Sequence, residues 1–177
     1  MRLIPYQPHD IDEPHELVAA IRARRGGALL NLDRMLLHSP ALARGWNGYL
    51  RAVRTELEVS PRLRELAICV VAILTGADYE FGQHGPEFLK AGGSPHQLDA
   101  VRRIGASDVD ASAFDSGERA IIALALEMTR NVRVSRATRE AARAALADDR
   151  QMVEIVGVIA TYNMVSRFLV ALNVEPE

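Results

Sequence analysis

The sequence predicts an all-α fold, and three observations carry that expectation. Alanine and leucine dominate while aromatic residues make up 5% of the chain, a balance that favours helices over sheets. Helix starts are marked repeatedly by capping residues. No segment shows the period-two alternation of a half-buried strand.

Three Ser-Pro pairs mark starts: Ser39-Pro40, Ser60-Pro61 and Ser94-Pro95. Serine accepts from an orphan amide at a helix N-terminus, and proline suits the first helical position. Ser94 with Gln97, Asp115 with Glu118 and Asp148 with Gln151 have the spacing of capping boxes. Gly92-Gly93, Asn131 and Asn173 mark stops. Helices are expected at 13–25, 29–37, 40–57, 61–75, 77–91, 95–103, 116–130, 135–146 and 149–172. Residues 104–114 form the longest expected linker. Arg22–Arg25 read as the solvated face of the first helix.

From Leu66 to Leu74 every residue is apolar, so that helix has no solvated face. Ala120–Met128 is nearly as apolar, and the last helix presents Val153, Val156, Ile159 and Ala160, then Met164 and Leu169, as a stripe. So much apolar helix in 177 residues points to a shared core, hence a homo-oligomer.

The net charge of −2 leaves no nucleic-acid footprint. No stretch approaches the ~20 apolar residues that span a bilayer, and Met1–Asp12 is polar with no signal-peptide core. A cytoplasmic, soluble protein without membrane or nucleic-acid partners is expected. Cys69 is the only cysteine, so an internal two-cysteine redox cycle is excluded, and its apolar helix suggests an inert core thiol. Phosphate loops, nucleophile elbows and dinucleotide fingerprints do not occur.

Chemistry is concentrated between Pro61 and Gly93. Glu65 opens an otherwise apolar helix. Outward-facing, it simply favours the helix dipole; inward-facing, it needs a partner or a proton. Glu80 and His84 are four apart and share a face, with Tyr79 and Gln83 beside them. Pro86 predicts a kink or break near Gly82–Pro86. A histidine there suits proton transfer, although a packed core histidine has the same signature. Glu80 and His84 supply at most two metal ligands, so no metal is expected.

The same segment resembles the carboxymuconolactone decarboxylase family, which includes the alkyl hydroperoxidase D proteins. The carrying residues are Arg64-Glu65-Leu66-Ala67-Ile68, Thr75-Gly76-Ala77-Asp78-Tyr79-Glu80-Phe81, His84, Lys90-Ala91-Gly92 and Leu98. Further matches are Phe114, Glu118-Arg119-Ala120, Thr129 and Tyr162–Phe168, with Met35–Pro40 upstream. The resemblance implies an oligomeric bundle of antiparallel helices (dimer, trimer or hexamer). It also implies an N-terminal arm with helices over residues 1–38 and a family-type domain over 39–177. In the peroxidase branch a Cys-x-x-Cys pair would fall at Ala77 and Glu80, and a further histidine at Tyr79; all three are replaced. The branch's glutamate matches Glu65.

The resemblance thus implies a cofactor-independent lyase for a small cyclic carboxylic acid or lactone, in aromatic-compound breakdown. Glu65, His84 and Tyr79 are the catalytic candidates, and Glu80, Trp46 and Tyr49 the substrate-binding ones. Trp46 and Tyr49 fit core packing as well. A peroxiredoxin-like antioxidant, disfavoured by the missing cysteines, and a non-enzymatic ligand-binding oligomer are the alternatives.

Overall fold

The computed structural model describes residues 3–104 and 110–177. Part of the expected 104–114 linker therefore lies outside the described residues. Those described form nine α-helices: α1 His15–Arg24, α2 Asn31–Leu36, α3 Pro40–Thr55, α4 Pro61–Thr75, α5 Asp78–Lys90, α6 Pro95–Arg102, α7 Ser116–Arg130, α8 Arg136–Ala144 and α9 Asp149–Ala171. The all-α expectation holds.

Two compact units are present. The first holds Met1–Glu56 with Ala171–Glu177, and the second Leu57–Val170. In the first, the N-terminal arm is laid along α2. Arg34 Nε donates to the Gln7 carbonyl at 2.6 Å, and its guanidinium lies 5.1 Å from the centre of the Tyr6 ring. The C-terminal tail is tied in through Asn31, whose backbone N–H donates to Glu177 Oε1 at 2.7 Å. The Arg22–Arg25 cluster is not a free solvated face. Asp33 is buried at the third position of α2, where an uncompensated carboxylate is costly. Arg25 Nε reaches it at 2.9 Å and Arg24 at 3.4 Å, while Arg22 donates to the carbonyls of His9 and Ile11.

In the second unit α4 is the central helix, packed on α5, α6 and α7. It is buried from Glu65 to Ala72, as its unbroken apolar run requires. Gly76 ends it in the left-handed conformation, φ 66°, which glycine adopts without strain. Ser60 caps α4 and Ser94 caps α6, but Ser39 makes no side-chain cap on α3. α5 runs continuously through Pro86, so of the expected kink or break the break does not occur. The proline ring crowds the carbonyl of Gly82, and glycine yields there at least cost.

The capping boxes at Ser94/Gln97 and Asp115/Glu118 both form, and Arg62 joins them. Its Nε donates to Glu118 Oε1 at 2.7 Å and its Nη2 to Gln97 Oε1 at 3.2 Å. Gln97 Nε2 donates to Glu118 Oε2 at 2.9 Å. The starts of α4, α6 and α7 are thereby held in one knot.

The buried stripe of α9 is Ile155, Val158, Ile159, Tyr162, Val165 and Leu169. Val153 and Met164 face outward, at 72% and 41% exposure, and Ala160 is also exposed. The expected register was displaced because α9 is apolar nearly all round, so hydropathy alone does not select a face. α9 is also the helix, among the described residues, long and apolar enough to cross a membrane, with mean hydropathy 1.4 over its most apolar window. Half of that window is buried inside the structure, and α9 buries Thr161, Asn163 and Ser166, as a core helix does.

Candidate functional site

Glu65 enters the interior because it follows one turn of α4 started by the Ser60 cap, where the helix sinks into the core. Its residue exposure is 5%, so the inward reading of this glutamate holds and a partner is obligatory. That partner is His84. Its Nδ1 lies 2.6 Å from Glu65 Oε2, within the short range of charge-assisted hydrogen bonds. The other carboxylate oxygen, Oε1, accepts from Arg64 Nε at 3.1 Å.

The opposite ring nitrogen faces a second carboxylate. His84 Nε2 is 3.3 Å from Glu80 Oε2, one helical turn away on α5. This contact is an ion pair without hydrogen-bond alignment, and Oε2 of Glu80 has no hydrogen-bond partner although it is buried. The His84 and Tyr162 rings meet in a T-shaped arrangement, 4.9 Å between centres and 83° between planes. The packing of α5 on α4 and the ring of Tyr162 on α9 hold the imidazole in place.

Both ring nitrogens thus face carboxylate oxygens, which only accept. Burial opposes a charged imidazole, but the bond to Glu65 and the contact with Glu80 outweigh it and hold His84 above its ordinary value of 6.5. Burial also pushes the Glu65 carboxyl up, and the bonds from His84 and Arg64 more than reverse this, leaving it below its ordinary 4.5. The His84 ring sits between two glutamate side chains, an arrangement that favours its charged form, and Arg64 adds a second cation at Glu65.

Cys69 sits one turn beyond Glu65 and is fully buried. Burial first, then the charges of Glu65 and Glu80, push its thiol far above the usual range, so it is not a thiolate nucleophile.

The fold therefore brings together three of the six candidates, Glu65, Glu80 and His84. Tyr79 is buried beside Glu80 on α5. Trp46 and Tyr49 belong to α3 in the first unit, Trp46 buried and Tyr49 49% exposed. Sequence reasoning missed Arg64 and Tyr162 as members of the cluster. Arg64 could have been found as the cation adjoining Glu65; Tyr162 lies 78 positions beyond His84 and carries no local signal.

Residues 40–116 match the profile of the carboxymuconolactone decarboxylase family. The match spans less than half of the chain and makes it similar to that family over this segment. The chain carries no Cys-x-x-Cys pair, Ala77 and Glu80 standing at the corresponding positions. No curated protein matches its sequence.

Solved structures agree in fold. A peroxidase-related protein from Silicibacter sp. TM1040 is 20% identical, with a TM-score of 0.77 over 99% of this chain and 90% of that one. An alkylhydroperoxidase AhpD core, a peroxidase-related protein from Ralstonia eutropha JMP134, is 19% identical, with a TM-score of 0.76 over 94% and 86%. The debrominase Bmp8, in a cysteine-to-alanine form complexed with 2,3,4-tribromopyrrole, is 16% identical, with a TM-score of 0.79 over 100% and 94%. These likenesses establish an AhpD-like helical fold.

Proposed function

We propose that this protein is a carboxymuconolactone decarboxylase-like, cofactor-independent lyase that moves a proton at carbon, acting on a small cyclic carboxylic acid or lactone from aromatic-compound breakdown. The observation that carries the reading is the buried His84 ring between Glu65 at 2.6 Å and Glu80 at 3.3 Å, with its Nε2 side free of an aligned hydrogen bond.

Decarboxylation of an unsaturated lactone acid breaks the bond to the carboxylate carbon and releases carbon dioxide. The bonding pair passes into the conjugated system and collects as a dienolate. That dienolate needs one proton at carbon, and the imidazolium Nε2–H supplies it. Glu65, anchored on Nδ1, stabilises the charged ring before transfer and orients it throughout. The neutral ring then recovers its proton from water, and Glu80 favours that return. Tyr79 is the proposed donor to the developing oxyanion.

A peroxidase reading draws support only from the names of structural neighbours. It requires a reactive thiol, and Cys69 is buried with its proton held tightly. The exposed Val153, Ala160 and Met164 on α9 support the proposal of a homo-oligomer.

The test is turnover of carboxymuconolactone, followed by ultraviolet absorbance, in wild type and His84→Ala, with hydroperoxide consumption as the parallel assay. Turnover lost in the variant supports the reading. Hydroperoxide consumption abolished by Cys69→Ser would overturn it, and absence of lactone turnover in wild type rejects this substrate.

A further inference from the structure

The first unit carries a groove that the proton-transfer cluster does not use. It lies between α1 and α3 and has a volume of about 730 Å³, inside the roughly 300–1,000 Å³ common for small-molecule sites. Leu17 and Ile21 of α1 and Leu50 of α3 are its buried apolar lining. Arg24, Arg51 and Arg54 also line it, and no acidic residue does.

The side chains that line this groove carry positive charge only, and Arg24 also donates to Asn47 Oδ1 on its wall. Arg24 shares one carboxylate, that of Asp33, with Arg25. Arg51 reaches Glu56 at 3.3 Å, but both side chains are more than half exposed, so water screens that pair. An apolar trough edged by guanidinium groups matches a ligand with a hydrocarbon body and one carboxylate, because the planar guanidinium receives a carboxylate in two parallel hydrogen bonds.

We propose that the α1–α3 groove binds an amphipathic organic anion, a carboxylate on an aliphatic body, with the chain on Leu17, Ile21 and Leu50 and the head group on the arginines. Gly48 offers a direct handle. It lines the groove on α3, and a Cβ built there meets nothing within 4 Å. A leucine at this site projects into open groove space, and leucine is a better helix former than glycine.

The experiment is titration calorimetry of the full chain with octanoate, with octanol as the uncharged control, alongside sedimentation to follow oligomeric state. Octanoate should bind at one site per chain, at least about tenfold more tightly than octanol, a difference of about 1.4 kcal/mol. Added salt should weaken it, because the head-group contacts are partly exposed. Gly48→Leu should abolish binding while preserving the helical circular dichroism, and Arg51→Gln with Arg54→Gln should lower affinity severalfold. Equal affinity for octanol, octanoate binding retained in Gly48→Leu, or no octanoate binding at all would overturn the proposal. A chain-concentration-dependent association lost in Gly48→Leu, without octanoate binding, would assign the groove to a second copy and overturn it as well.

Discussion

Glu65→Gln is the most informative single change, because it keeps shape and removes one charge from the His84 sandwich. The glutamine oxygen can still accept from Nδ1, but the imidazolium loses its short charge-assisted bond at 2.6 Å. Breaking one side of a buried pair costs about 3–5 kcal/mol, and the retained acceptor places this case near about 3 kcal/mol. For a chain of this length that is a fall in Tm of about 6–12 °C.

The cost depends on pH in a definite direction. His84 is raised above 6.5, so its contribution is complete below 6.5 and is lost as pH rises through the folded value. Glu65 is lowered below 4.5, so its contribution is complete above 4.5 and is lost as pH falls through the folded value. The gap between wild type and variant is therefore widest between 4.5 and 6.5 and narrows in the alkaline range. Thermal unfolding by circular dichroism across pH measures it. Nitrogen-15 shifts of His84 supply the second readout, with the doubly protonated ring persisting to higher pH in wild type than in the variant. A gap that stays constant or widens as the solution becomes alkaline, together with a neutral His84 in wild type, would refute the charged sandwich.

Three further outcomes follow from the packing. Arg62→Ala removes the cation that joins Gln97 and the buried Glu118 and should cost about 3 kcal/mol in denaturant unfolding, whereas Arg62→Ala with Glu118→Gln should recover part of it. Gly93→Ala would drive a methyl into the Phe88 ring and should lower stability by about 1–3 kcal/mol; an unchanged midpoint in urea would show that the ring moves aside freely. The Cys69 thiol, fully buried and held protonated, should fail to react with a thiol reagent in the native state and react at once in denaturant, and Cys69→Ala should leave lactone turnover intact.

Local chemistry was legible because it acts over short spans. Ser60, Ser94 and Asp115 cap helices through amides three residues ahead, and such bonds are encoded in spacing alone. Ser39 has the same Ser-Pro signature and makes no cap, so the signature permits the bond without ensuring it. The candidate site was half legible. Glu80 and His84 share a face by helical period, and the absence of a Cys-x-x-Cys pair is visible in the letters themselves.

By itself the sequence determined an all-helical chain, most of its helix limits, and a single cysteine incapable of an internal disulfide. Only the tertiary structure decided that Glu65 turns inward, that its partner is Nδ1 of a histidine 19 positions away, and that Arg62 ties together side chains 35 and 56 positions distant. It also decided which side of α9 is buried. The physical reason is common to all of these. A helix of uniform hydropathy, or a carboxylate at a helix start, has two acceptable orientations in isolation, and the choice is made by the desolvation and pairing energies that arise when the neighbouring helices pack against it.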